Sequence, residues 1–187
     1  MVFLSFFSET VALLAAILVI IGMVSLKIIL MQDIAVVLAI AGIGAVLGLG
    51  LTPLIVVFIL IILSFYDIIA VYKTKHMIKL AETMIKSRTI FGFIIPFNFK
   101  DFFVSSHRAH PGEGFMILGS GDIIMPVLLS ASLVPISLRQ SLFVLFFSLI
   151  GLFIAHLLFV NQEKRRPMAA LPPIAAMSII GYLISLL

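Results

Sequence analysis

The chain has 187 residues, 63% of them hydrophobic and only 11% charged, with a mean hydropathy of +1.35. A soluble domain of this size needs a largely polar exterior, so the composition excludes one and makes lipid the fitting solvent. Cys is absent, which removes disulfides and thiolate metal sites.

A bilayer core about 30 Å thick needs roughly 20 apolar residues in helical form. Met1-Val2-Phe3-Leu4 places no basic residue before the first apolar run, so that run is expected to stay as a membrane helix and not to be cleaved as a signal peptide. In chain order the expected spans are Thr10 to Leu26, Ile34 to Leu51, Pro53 to Tyr72, Phe115 to Ile136, Gln140 to Val160 and Met168 to Leu187. The fold class that follows is an all-α, polytopic helical bundle of about six transmembrane helices, with residues 1–187 forming a single membrane domain. Asp33 reads as a charge at the start of the second span. Gly42, Gly44, Gly48 and Gly50 suit close helix packing. Thr52-Pro53 and Val134-Pro135 mark short turns, the first closing a tight hairpin of spans two and three.

The segment 73–114 between spans three and four is mixed. Lys73 to Lys86 reads as a helical extension. Ile90 to Phe99, with aromatics at 91, 93, 97 and 99, reads as a strand or an interfacial segment. Ser105 to Gly114 reads as a loop; it holds His107, His110 and Glu113, too weak a pattern for a metal site.

Charge sets the orientation. Lys27 follows span one; Lys73, Lys75, Lys79, Lys86, Arg88, Lys100 and Arg108 follow span three; Lys164, Arg165 and Arg166 follow span five. These three connections share one side, leaving Arg139 alone among the 12 Lys and Arg on the other. The positive-inside rule makes loop 73–114 cytoplasmic and places both termini outside, in a multi-pass protein of the cell membrane. The net charge of +4 is therefore a topology signal, and no nucleic-acid partner is expected. Lys164, Arg165 and Arg166 are expected to anchor the last span to anionic headgroups.

Ionisable residues within spans are costly and usually functional. Three stand out: Asp67, Asp122 and His156. His156 reads as a packing or interface residue. Asp67 precedes Lys73 by six residues, roughly 9 Å of helix, and Asp122 follows Glu113 by nine, roughly 13 Å. At matching depth on consecutive long spans the two carboxyls can meet. Two carboxyls a few Å apart hold a proton between them. One then acts as general base on a water while the other polarises a carbonyl. Spacing alone leaves three readings open: an aspartic protease within the membrane, a polar packing pair, and a proton relay in an ion channel or proton-coupled transporter.

The surroundings favour the first. Gly119-Ser120-Gly121-Asp122 combines close-approach glycines with a locally loosened helix. Tyr66 can wall the site beside Asp67 and donate a hydrogen bond. Ala169-Ala170-Leu171-Pro172-Pro173 interrupts the start of the last span, leaving backbone carbonyls for a partner, or simply begins the helix.

Together these residues resemble the presenilin and signal peptide peptidase family, particularly its archaeal members. That family carries Tyr-Asp on one helix, Gly-x-Gly-Asp on the next and Pro-Ala-Leu at the last. Here the corresponding residues are Tyr66-Asp67, Gly119-Ser120-Gly121-Asp122 and Ala169-Ala170-Leu171, with Ala169 departing from the motif. The family has nine spans, and the resemblance covers the last six, implying that three N-terminal helices are absent. It further implies an intramembrane aspartyl protease with Asp67 and Asp122 as the catalytic pair. Tyr66, Gly119, Gly121, Ala169, Ala170, Leu171 and Pro172 would shape the site. Substrates would be transmembrane proteins or peptides within the lipid bilayer, with no metal and no organic cofactor, and homo-oligomerisation is left open. A substrate helix must unwind before attack; either Ile90 to Phe99 or the residues just before Gly119 would then offer it a strand edge. A prepilin-type peptidase shares Gly-x-Gly-Asp but not the Tyr-Asp and Ala-Leu-Pro features.

Overall fold

A computed structural model describes residues 2–26, 28–73, 92–96, 98–104, 115–162 and 168–186. Among the described residues six α-helices and two strands follow one another: α1 (Val2–Leu26), α2 (Ile29–Gly50), α3 (Pro53–Ile68), β1 (Gly92–Pro96), β2 (Phe115–Gly119), α4 (Ser120–Leu133), α5 (Leu138–Val160) and α6 (Leu171–Ser185). The chain forms two compact units, residues 1–38 with 92–117, and residues 39–91 with 118–187.

Among the described residues, Ile29–Gly50, Pro53–Lys73 and Leu138–Val160 are long and apolar enough to cross a membrane. They are apolar all round, and large residues such as Leu54, Ile62, Phe65 and Phe146 lie exposed on the chain's surface. That pattern belongs to helices solvated by lipid. Pro53 opens α3 at its first turn, where a missing N–H costs nothing, and only Leu51 and Thr52 separate it from α2. The short turn expected at Thr52-Pro53 is present.

The fourth expected span requires correction. Phe115–Gly119 is a strand, and the helix that follows has 14 residues, about 21 Å at helical rise. A short apolar run carries no signal that separates strand from buried helix. Strand β2 pairs with β1 in a two-stranded sheet, so the strand reading of Ile90 to Phe99 holds over Gly92–Pro96. Helices α1 and α2 start earlier than expected, at Val2 and Ile29. The expected helix 73–86 beyond Lys73, the loop 105–114 and the basic cluster 164–166 lie outside the described residues.

In the first unit, the segment after β1 returns to the start of α2. A 3-10 turn spans Phe99–Phe103, and the Ile29 N–H donates to the Val104 carbonyl at 3.1 Å. Ile94, on β1, is fully buried.

In the second unit, α3, α4, α5 and α6 enclose one apolar core of Val56, Leu60, Leu128, Leu129, Leu133, Val144, Leu171 and Ala175. Small residues bring the helices close, as membrane helices require when lipid offers no hydrophobic driving force between them. A Cβ added at Gly48 would fall 2.9 Å from the Leu128 carbonyl oxygen. Gly44 and Gly48 therefore serve packing against α4, whereas Gly42 and Gly50 meet nothing among the described residues. Between α5 and α6 the Ser148 and Ser178 hydroxyls are 2.8 Å apart.

Candidate active site

Asp67 lies one residue before the end of α3, and the helix continues past it as a π-helical segment, Ile69–Lys73. Such widened turns recur at functional sites. The Asp67 side chain is buried, and its Oδ2 accepts a hydrogen bond from the Leu171 N–H at 3.2 Å. Leu171 is the first residue of α6, and Pro172 and Pro173 follow it in the same turn. A helix start leaves its first N–H groups without internal partners. The two prolines have none to leave, and the Leu171 N–H is taken by Asp67. The prolines are thus a helix start, as the plainer of the two expectations had it, and Asp67 caps that helix from another one.

Asp122 occupies the first turn of α4, whose N-cap is Gly119. Its carboxyl is bonded by the Gly119 backbone N–H, the reach from third helical position to N-cap that closes half of a capping box. Because β2 is extended up to Gly119, helical rise does not measure the depth of Asp122. Four residues on, Pro126 sits inside the helix and has no N–H to give the Asp122 carbonyl. The first turn of α4 is consequently looser than an uninterrupted helix.

The two carboxyls interact electrostatically. Three elements therefore converge: α3 supplies Asp67, α4 supplies Asp122, and α6 brings Leu171 to Asp67. Ala169, Ala170 and Leu171 are all buried, and Pro172 is half-buried. Gly119 is half-buried with φ −62°. A Cβ built on Gly121 meets nothing within 4 Å. The close approach expected at Gly121 is made by none of the described residues, which leave the space beside it open. Tyr66 is 61% exposed, and so turns away from the buried face that holds Asp67. His156 is half-buried on α5, a helix that carries neither aspartate. Among the described residues no group of three His, Cys, Asp or Glu could hold a metal.

Sequence reasoning missed Asp33. It is not a helix-start charge but a residue past the first turn of α2, buried at 3% exposure, whose Oδ1 accepts from the Ile94 N–H at 2.9 Å. The signal was its place within α2, hidden by starting that span at Ile34. A second buried polar group is the Ser64 hydroxyl, one turn before Asp67, with no hydrogen-bond partner among the described residues.

The family model for signal-peptide peptidase, presenilin aspartyl protease matches residues 1–187. Two solved structures are similar, both of a presenilin family intramembrane aspartate protease. The one in the C222 space group is 34% identical with a TM-score of 0.51, covering 82% of this chain and 50% of that one. The one in the P2 space group is 34% identical with a TM-score of 0.54, covering 83% and 50%. This chain spans about half the length of those structures' chains. Among curated proteins nothing matches.

Proposed function

From the premise that this chain belongs to the presenilin and signal peptide peptidase family of aspartyl proteases, we propose that Asp67 and Asp122 hydrolyse peptide bonds of transmembrane substrates. The observation that carries this reading is the convergence of two carboxyls that interact, each already given one backbone N–H by a helix start. Asp67 spends Oδ2 on Leu171, which leaves Oδ1 for a water. With one proton between the pair, one carboxylate takes a proton from that water and the other, protonated, donates to the scissile carbonyl. Water adds to the carbonyl carbon, the tetrahedral intermediate collapses, and the amine leaves with a proton. Two carboxyls and a water suffice, without a metal or organic cofactor.

The remaining site-shaping assignments follow from position. Gly119 and Gly121 keep bulk away from the open side of Asp122. Ala169, Ala170, Leu171 and Pro172 hold the start of α6 against Asp67. Tyr66, being exposed, contacts an arriving substrate or lipid. The substrate is a membrane helix that unwinds and pairs as a strand with the β1–β2 sheet. The segment 73–114 is cytoplasmic and both ends of this chain lie outside, by the distribution of Lys and Arg.

The test is to reconstitute the protein in vesicles with a single-span substrate. Asp67→Ala and Asp122→Ala should each lower cleavage by about 10³-fold or more. Full cleavage by either variant, or ion flux as the sole activity, would refute the hydrolase reading.

A further inference from the structure

Among the described residues the buried side-chain atoms without a hydrogen-bond partner are Asp33 Oδ2 and the Ser64 hydroxyl. Asp33 at least commits its other oxygen to β1. Ser64 has one polar group, and it is idle. Other serines of the second unit are not: Ser132, Ser148, Ser178 and Ser185 each donate to a backbone carbonyl three or four residues back, and Ser130 donates to the Ser141 carbonyl. That is the ordinary way for a hydroxyl on a helix to be satisfied. An enclosed hydroxyl without it costs free energy that an alanine in the same place would not.

The place of Ser64 accounts for the cost. It stands three residues before Asp67 on α3, about 60° away around the helix, a spacing at which side chains are neighbours. Cα–Cβ bonds tilt toward a helix N-terminus, so the Asp67 side chain lies over the turn that Ser64 begins. Further back the same face is apolar, with Leu60 and Val56 fully buried. The polar group within reach of Ser64 on this face is Asp67.

The other aspartate shows what that reach does. Asp122 takes the N–H of Gly119, three residues back, because a helix start leaves that N–H free. Asp67 lies far from the start of α3, where the N–H of residue 64 is spent on the Leu60 carbonyl. At the position equivalent to Gly119, only a side chain has a donor to give. The residue there is a serine.

We infer that Ser64 is a positioning residue whose hydroxyl turns about χ1 and donates to Asp67 when that carboxyl is ionised. The turn is a rotation between staggered wells. A hydrogen bond to a charged carboxylate is about twice as strong as one between neutral groups, so the bond forms with the charge. The Leu171 N–H holds Oδ2 from α6, and a single donor lets the carboxylate swing about the bonded oxygen. A second donor, from α3, fixes its plane and keeps Oδ1 on the attacking water. The inference rests on the protease reading and deepens it by adding a third side chain to the site.

The test measures cleavage of a single-span substrate in vesicles by the full chain and its variants, together with thermal unfolding. Ser64→Ala should lower kcat by about tenfold or more, change KM by less than about twofold, and unfold no earlier than the unmutated protein. Ser64→Thr, which keeps the hydroxyl, should restore kcat to within about threefold, whereas Ser64→Val, of the same shape without it, should not. Undiminished kcat in Ser64→Ala overturns the inference, as does equal activity of the folded Thr and Val variants. A Ser64→Ala protein that unfolds earlier also overturns it, since the hydroxyl would then serve packing. Should the added methyl unfold both larger variants, Ser64→Ala decides alone. No cleavage by the unmutated protein, or full cleavage by Asp67→Ala, would instead sink the protease reading; loss in Asp67→Ala beside full activity in Ser64→Ala sinks this inference only.

Discussion

The two aspartates are held in opposite ways. Asp122 is fixed locally: its partner is the Gly119 N–H three residues back, and its place in the first turn of α4 follows from the motif itself. Asp67 is fixed at long range, by an N–H 104 residues away at the start of α6. One carboxyl is aimed by a local cap and the other by tertiary packing. Damage to helix packing should therefore misplace Asp67 first, and damage to the Gly-Ser-Gly turn should misplace Asp122.

The largest expected contrast sets two glycines against each other. Gly121→Leu places its side chain in space that the described residues leave open. It should leave thermal unfolding nearly unchanged while lowering cleavage by about 10²-fold. Gly48→Leu should do the reverse in unfolding assays, losing about 1–3 kcal/mol because Leu128 and Ala131 stand in the way. If both variants lose stability equally, the space beside Gly121 is not reserved for substrate.

A second contrast concerns the aspartates' structural work. Asp67→Ala leaves the Leu171 N–H buried without its partner and should destabilise by about 1–3 kcal/mol. Asp122→Ala removes a cap on the less buried helix start and should cost about 0.5–2 kcal/mol. Thermal unfolding in one detergent ranks them; a larger loss for Asp122→Ala would reverse the assignment of local and long-range anchoring. The smallest effect belongs to the Ser148 and Ser178 pair between α5 and α6. Replacing both by Ala removes the hydroxyls together and should change stability by less than about 1.5 kcal/mol, with cleavage retained.

Much of this was legible from residues in order. Charge on a long apolar helix marks itself, so Asp67 and Asp122 stood out, and Thr52-Pro53 announced its turn. What failed was whatever depends on a partner distant in sequence. Phe115–Gly119 looked like the start of a span because apolar content does not report strand pairing, and its partner β1 lies beyond a long connection. Asp33 looked like a helix-start charge because only the folded chain brings Ile94 to it. Tyr66 was placed beside Asp67 by adjacency, but adjacent residues on a helix point about 100° apart, and one is buried while the other is exposed. The glycines divided the same way: the spacing suggested packing for all four on α2, and among the described residues Gly44 and Gly48 make it.

The central claim is that the two carboxyls act as one unit on one water. A double-mutant cycle tests it with a peptide isostere whose hydroxyl replaces the scissile carbonyl, its binding measured to the unmutated protein, Asp67→Ala, Asp122→Ala and the double variant. The account predicts that either single substitution removes nearly all the affinity the pair confers and that the second adds little. Losses that simply add would mean the carboxyls work apart, and would contradict it.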